Sequence, residues 1–444
     1  MSFLSPIFLF AFLPLAAISY RLARKPELRS ILWIAAGLLF YAFGDVRHLP
    51  LLLCSCALHY GAGRFLMAAK RGRRLALGLC VAIDLAVLAL YKIKGALPLG
   101  ISFYTFQAIS YVVDTYRAPE SGTKNARELL QYLTFFPQLT AGPFMKFSAL
   151  RPYFTAREDD WGEALRGLRR FVCGLLKKLL LSGSAAKLAD AMFGLSSIDA
   201  LGAWMGAISY CLQLYFDFSG YSDMALGLGL LFGVRLPENF RYPYCAGSVT
   251  EFWRRWHMTL SGWLRDYLYI PLGGSRKGTA RTVLNKFIVF LATGLWHGTG
   301  WTFALWGLWH GIFCGLETVF DREKRLKTHW YGHVYTLFVV IFGFVLFRAE
   351  TVRQAGAMLS AMLTALSPAA ACRLALQNIL TARTIFLCLA GVLACFPIWE
   401  RAKGTLAEKC WLPGVLNALT ATGLLLCAMQ LAGSSFQPFI YAGF

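Results

Sequence analysis

Long apolar runs separated by short basic or Pro/Gly-rich loops set the pattern of this chain. Phe3 to Tyr20, Ile31 to Phe43, Leu49 to Met67 and Leu75 to Tyr91 are the first four, and basic residues follow each one. A membrane-crossing helix needs about 20 predominantly apolar residues, and by that measure the pattern predicts about ten or eleven crossings. Lipid leaves no water to satisfy a bare backbone, so spans of this kind are helical. The predicted fold class is an all-α polytopic membrane protein forming one domain over residues 1–444, since no low-complexity linker divides it. Met1 to Tyr20 has no basic leader and no small-residue cleavage site, and reads as a retained first span.

Some stretches depart from the simple pattern. Pro98 to Arg117 is aromatic and amphipathic, with Gln107, Ser110 and Asp114 among apolar positions. Tyr132 to Phe144 is broken by Pro137, Gly142 and Pro143. Irregular backbone at membrane depth is tolerated where it lines a cavity, so both are expected to be cavity walls. Glu163 to Leu181 sets Arg166, Arg169, Arg170, Lys177 and Lys178 among apolar residues at helical spacing. That spacing predicts an interfacial helix against lipid headgroups. Leu201 to Phe232 carries Asp217 and Asp223 inside an otherwise apolar helix, about 120° apart around its axis. They are expected to hold Ser219, Tyr221 or an arginine across the bundle rather than to act as a paired acid and base.

Composition narrows the function classes. Hydrophobic residues make up 57% of the chain and charged ones 15%, well short of the roughly 25% charged content of soluble domains. The net charge of +21 sits in clusters between apolar runs, such as Arg21, Arg24, Lys25 and Arg29, or Lys70, Arg71, Arg73 and Arg74. Basic loops of this kind stay cytoplasmic and attract anionic lipids. No nucleic-acid recognition module accompanies the charge, so nucleic acid is not an expected partner. The 12 cysteines are irregularly spaced and mostly lie in apolar runs, Cys80 among them. They read as small buried hydrophobes, and the lone pair Cys54 and Cys56 does not make a zinc motif, so no metal is expected. His48 and His59 read as structural.

The unusual chemistry is concentrated between Phe252 and His310, which holds three of the seven histidines. From Trp253 to Tyr269 there are five Trp or Tyr residues, three arginines, one aspartate and His257. This mixture suits an interfacial or re-entrant helix. The LGGSRKG turn, Leu272 to Gly278, lacks the spacing of a phosphate-binding loop and reads as a cytoplasmic turn. Val283 to Trp296 is a span ending in GLWHG, a motif repeated at Gly307 to Gly311. On one continuous helix His297 and His310 would be about 20 Å and about 140° apart. Gly298 and Gly300 predict a break between them, with His297 at the break beside Trp296. A shielded imidazole in that position suits a base for acyl transfer.

These motifs match a known family. SPIFLFAFLPL, PLGISFYTFQAISYVVDTYR, FFPQLTAGP, FDFSGYSDMALG, ENFRYPY, FWRRWHMTLSGWLRDYLYIPLGG and GLWHGTGWTFALWGLWHG resemble the membrane-bound O-acyltransferases. Within that family the resemblance is to the bacterial branch of alginate and peptidoglycan O-acetylation and teichoic acid D-alanylation. It covers most of residues 1–320, with 321–444 matching only as generic spans.

The resemblance implies a ring of tilted helices around a funnel, with the essential histidine in a tunnel joining the two membrane faces. It places the family's two signature histidines on His257 and His297, with His297 the essential one. It implies an acetyltransferase of the bacterial inner membrane, moving acetyl from a cytoplasmic thioester, acetyl-CoA, towards an extracytoplasmic polysaccharide such as alginate or peptidoglycan. An esterase-like extracytoplasmic partner and no bound cofactor go with it. D-alanyl transfer from a carrier-protein thioester to teichoic acid is the alternative, and a transporter is the rival from another class. Arg254, Arg255 and Arg265 are candidate contacts for an anionic donor, and Trp296 and His310 are candidate substrate-contacting residues.

Overall fold

A computed structural model describes residues 1–155, 160–406, 409 and 411–433. The described residues form helices and connecting segments, with no strand among them. They divide into two compact units.

The first unit comprises Met1–Leu175, Tyr221–Glu238 and the chain from Gly423. It contains α1 (Leu13–Leu22), entered through a π-helical turn at Phe8–Phe12, then α2 (Pro26–Asp45), α3 (Leu49–Ala68) and α4 (Arg73–Lys94). After these come α5 (Ile101–Arg117), α6 (Ala126–Thr134) and α7 (Trp161–Leu176). Pro26 and Pro50 open α2 and α3, where the missing N–H costs nothing. The core is aromatic: Trp33 stacks on Phe135 with centroids 4.2 Å apart, and its Nε1–H donates to the Gln131 carbonyl.

The second unit comprises Leu176–Gly220 and Asn239–Thr422. It contains α8 (Gly183–Phe193), the Ala200–Gly220 part of α9 (Ala200–Leu231), α10 (Val249–Arg255), α11 (Met258–Leu264), α12 (Thr279–His297) and α13 (Trp301–Val319). Next are α14 (Trp330–Arg348), α15 (Val352–Thr364), α16 (Ala370–Ile379), α17 (Ala382–Ala394) and α18 (Ile398–Leu406), with the Leu412–Thr422 half of α19 (Leu412–Gly433). α12 and α13 pack along their lengths. Gly307 makes this possible, because a Cβ there would strike the backbone carbonyl of Phe290. The break between the two helices falls at Gly298–Gly300, as the glycines predict.

Several expectations change. Four helical stretches among the described residues are long and apolar enough to cross a membrane: Pro26–Ala68, Arg73–Lys94, Trp330–Arg348 and Leu412–Gly433. The pair α16 and α17, bent by 89°, would make a fifth. Among the described residues, length and apolar content alone do not confirm the expected count of about ten or eleven. Helices such as α9 are lowered in hydropathy by polar groups that face protein partners instead of lipid. The helix predicted over Phe3 to Tyr20 runs from Phe8 to Leu22 and is shorter than a full span.

The basic residues of Glu163 to Leu181 do not all face headgroups. Arg170 turns onto Asp223 and Glu238, with N–O distances of 2.9 and 2.6 Å. Lys178 lies in a π-helical turn, Lys177–Ser182, and pairs with the fully buried Asp217. Asp217 and Asp223 thus serve separate ion pairs, one with the expected arginine and one with a lysine. His48 accompanies an acid three residues earlier, since its Nδ1 lies 2.8 Å from Asp45.

Candidate active site

The site is built on α10, α11 and α12, all in the second unit. α10 starts at Ser248, whose Oγ accepts from the Glu251 N–H. The buried Glu317 carboxylate of α13 accepts from the N–H groups of Val249 and Thr250 at 2.7 and 2.9 Å. An anion at a helix N-terminus meets both the free N–H groups and the positive end of the dipole. α10 is thereby anchored, and with it Trp253.

α10 and α11 are only seven residues each, and the joint between them is Trp256–His257. His257 has φ 43° and ψ 53°, left-handed backbone that a non-glycine residue adopts only under constraint. The constraint comes from Asn239. Its backbone carbonyl accepts from the Met258 N–H at 2.9 Å. Its side-chain oxygen accepts from the Thr259 N–H at 3.2 Å, the Thr259 hydroxyl at 3.0 Å and the His257 ring at 3.1 Å. A backbone N–H can only donate, so the Asn239 atom it meets is the amide oxygen. His257 Nδ1 therefore carries the proton. Nε2 is left with its lone pair, buried and without a hydrogen-bond partner. Burial pushes this imidazole down to about 3, so it is neutral at physiological pH.

His297 is the last residue of α12 and is 4% exposed. Its ring is held by aromatic edges: Trp296 at 4.7 Å, Phe347 at 5.1 Å and Trp306 at 5.2 Å between centroids. His257 and His297 line one cavity of about 130 Å³, together with Trp253, Trp256, Leu260 and Thr293 among others. A water molecule occupies about 30 Å³ of liquid, so the space is that of roughly four waters. It suits a short acyl group. What the arrangement supplies is two imidazoles in a small, largely apolar chamber.

Other expected site residues lie elsewhere. Arg254 pairs with Glu323, Arg255 with Glu251 at 2.5 Å and Arg265 with Asp266 at 2.8 Å. None of the three lines the cavity, so their expected role as donor contacts is not supported by the geometry. Trp296 supports the His297 ring without lining the cavity. His310 is fully buried against Trp253, Trp306 and Phe290, and neither ring nitrogen has a hydrogen-bond partner. It too stands off the cavity, in a notch that Gly343 keeps open. The stretches expected as cavity walls, Pro98 to Arg117 and Tyr132 to Phe144, pack in the first unit, where Phe103 stacks on Phe144 at 5.2 Å. Asn239, Trp253 and Leu260 were not singled out from sequence. The signal for Asn239 was its place in ENFRYPY, whose polarity marks a constrained turn without revealing the partner 18 residues away.

Comparison with known proteins fits this geometry. The model of the MBOAT, membrane-bound O-acyltransferase family, matches residues 115–352, a segment that contains every residue lining the cavity. The chain is 36% identical to the "Probable alginate O-acetylase AlgI" of Pseudomonas putida, with 100% of each chain covered. It is 35% identical to the peptidoglycan O-acetyltransferase of Helicobacter pylori over 81% of this chain and 79% of that protein. It is 26% identical to the teichoic acid D-alanyltransferase of Bacillus subtilis over 57% of this chain and 69% of that protein. The transporter alternative gives way, because the charges that suggested it are paired inside the protein and the relatives transfer acyl groups. The chain belongs to the membrane-bound O-acyltransferase family and is a multi-pass membrane acyltransferase.

Proposed function

We propose that this protein acetylates the hydroxyl groups of an extracytoplasmic polysaccharide, of the alginate or peptidoglycan kind, from the bacterial inner membrane. The donor is a cytoplasmic thioester, acetyl-CoA. The observation that carries this reading is the pair His257 and His297 on one cavity of about 130 Å³. That volume favours acetyl over long acyl chains, and the higher identity to the O-acetylating relatives favours acetyl over D-alanyl.

His297 acts as general base. It takes the proton of the acceptor hydroxyl as the oxygen attacks the thioester carbonyl, the C–S bond breaks, and the thiolate leaves to be protonated. In the covalent variant the imidazole attacks first, and the acyl-imidazole is then opened by the hydroxyl. His257, with Nδ1–H committed to Asn239, offers a lone pair at Nε2 that accepts a hydrogen bond and orients the reacting group. The aromatic walls keep water from hydrolysing the thioester. The 444 residues work as one membrane domain, and a separate esterase-like transferase completes delivery to the polymer.

The test is release of free CoA from acetyl-CoA by the purified protein, alone and with candidate partner transferases, comparing wild type with His297→Ala. The variant should lose transfer while keeping its thermal transition in detergent. Undiminished release from His297→Ala would overturn the assignment, and use of a D-alanyl carrier thioester in place of acetyl-CoA would move it to the alternative donor.

A further inference from the structure

α3 and α4 are long apolar helices, yet each carries a polar group near its middle. His59 is the eleventh of the 20 residues of α3, and Asp84 the twelfth of the 22 residues of α4. His59 is fully buried and Asp84 is 7% exposed. A carboxylate at that depth of an apolar helix pair needs a compensating cation.

The hydrogen bonds define what that cation must do. His59 Nδ1 lies 2.7 Å from the Ser55 carbonyl oxygen, which can only accept, so Nδ1 carries a proton and donates it there. Nε2 points at Asp84 Oδ2 from 2.9 Å. The neutral ring would bring two lone pairs face to face at that distance, so a positive centre belongs between them. Cys80 adds a third donor. It precedes Asp84 by one helical turn on the same face of α4, is 3% exposed, and its Sγ lies within 4.8 Å of both the imidazole nitrogen and the carboxylate.

We propose that His59, Cys80 and Asp84 form an intramembrane binding site for a divalent cation of the zinc class. Imidazole nitrogen, thiolate sulfur and carboxylate oxygen are the donor types zinc takes. Bonds of about 2.0 to 2.3 Å in tetrahedral array put ligand atoms about 3.3 to 3.7 Å apart. The imidazole and carboxylate must open by about half an ångström, within side-chain rotation. The Ser55 carbonyl already holds the far nitrogen of the ring, as the outer partner of a metal-bound histidine does.

The charge balances. Without a metal, imidazolium, carboxylate and thiol sum to zero. A divalent ion with neutral imidazole, carboxylate and thiolate also sums to zero, so binding expels two protons, one from His59 Nε2 and one from Cys80 Sγ. The ligands come from two helices, so no compact motif marks the site in the sequence.

The experiment uses the full chain in detergent, chelator-treated and then titrated with zinc or cobalt(II) alone. Metal content, the thiolate-to-cobalt charge-transfer band and proton release are followed, with no transfer assay involved. Wild type should bind one ion with the band present and release two protons. Cys80→Ser should lose the band, and His59→Asn and Asp84→Asn should each weaken binding by at least about tenfold. A wild-type protein that binds no ion at micromolar concentration would overturn the proposal, as would binding unchanged in all three variants. Cys80→Ser, a small-for-small change, keeps the test readable if a charge variant fails to fold.

Discussion

Replacing Asn239 separates what holds the site together from what makes it reactive. Asn239→Ala removes the oxygen that accepts from the buried His257 Nδ1–H and from the half-buried Thr259 N–H. The Thr259 hydroxyl can turn to another acceptor, but the other two donors cannot. A stranded buried donor costs about 1–3 kcal/mol, so the His257 ring alone predicts a loss of that size before any cavity cost, and the half-buried Thr259 N–H adds less. Asn239→Asp keeps the acceptors but buries a carboxylate, so it recovers stability chiefly where the His257 ring is protonated to pair with it. It also places a carboxylate 3.1 Å from the His257 ring, which favours imidazolium. In the wild type the ring stays neutral down to about 3. In the aspartate variant the value rises, and below it Nε2 is protonated and no longer an acceptor. Acetyl transfer by Asn239→Asp should therefore fall as pH drops through the raised value, in a range where wild-type transfer is flat. Thermal unfolding in detergent measures the first effect and CoA release against pH the second. Superimposable pH profiles for wild type and Asn239→Asp would refute the role given to His257, and an alanine variant as stable as wild type would refute the hydrogen-bond accounting.

Two further outcomes concern charge pairs outside the cavity. Lys178→Met leaves the buried Asp217 without its lysine and should cost about 3–5 kcal/mol in thermal unfolding, much of it regained in the double variant with Asp217→Asn. Equal losses in single and double variants would show that the pair is not the source. At Glu323 burial pushes the carboxyl up, but hydrogen bonds from Lys327 and Arg254 outweigh it and hold the group below its ordinary 4.5. A depressed value means that this stabilisation is present above about 4.5 and is lost as pH falls through the folded-state value. Glu323→Gln should therefore lower the unfolding temperature at neutral pH and flatten its decline in acid, and an unchanged acid limb would count against the pairing.

Much of the site was legible in the chain because its signals are local. The glycines at 298 and 300 told of the break that ends α12 at His297, and the Trp and Arg content of Trp253 to Tyr269 told of an amphipathic helix instead of a simple span, though not of its break at His257. The partners of charged groups were not legible. Arg254 and Arg265 looked like donor contacts because a guanidinium carries no sign of which carboxylate it will meet, and Glu323 is distant in sequence. Lys178 was assigned to headgroups for the same reason, although it faces Asp217. Helices such as α9 carry polar groups that face protein partners, so length and apolar content alone do not confirm the number of spans. In the Pro98–Arg117 stretch Ser110 donates to the Gln107 carbonyl, a local partner that the sequence alone did not reveal.

The left-handed backbone at residue 257 also bears on descent. Few side chains accept that conformation, and after glycine the tolerated ones are asparagine, aspartate and histidine. Variation at this position is therefore filtered twice, first by the geometry of the joint and only then by the chemistry of the cavity. A lineage that gave up the imidazole would find asparagine the easiest residue to settle on, since it fits the turn and still offers a hydrogen-bonding group. β-branched residues, common in neighbouring apolar stretches, would be removed by folding before their effect on transfer could be felt.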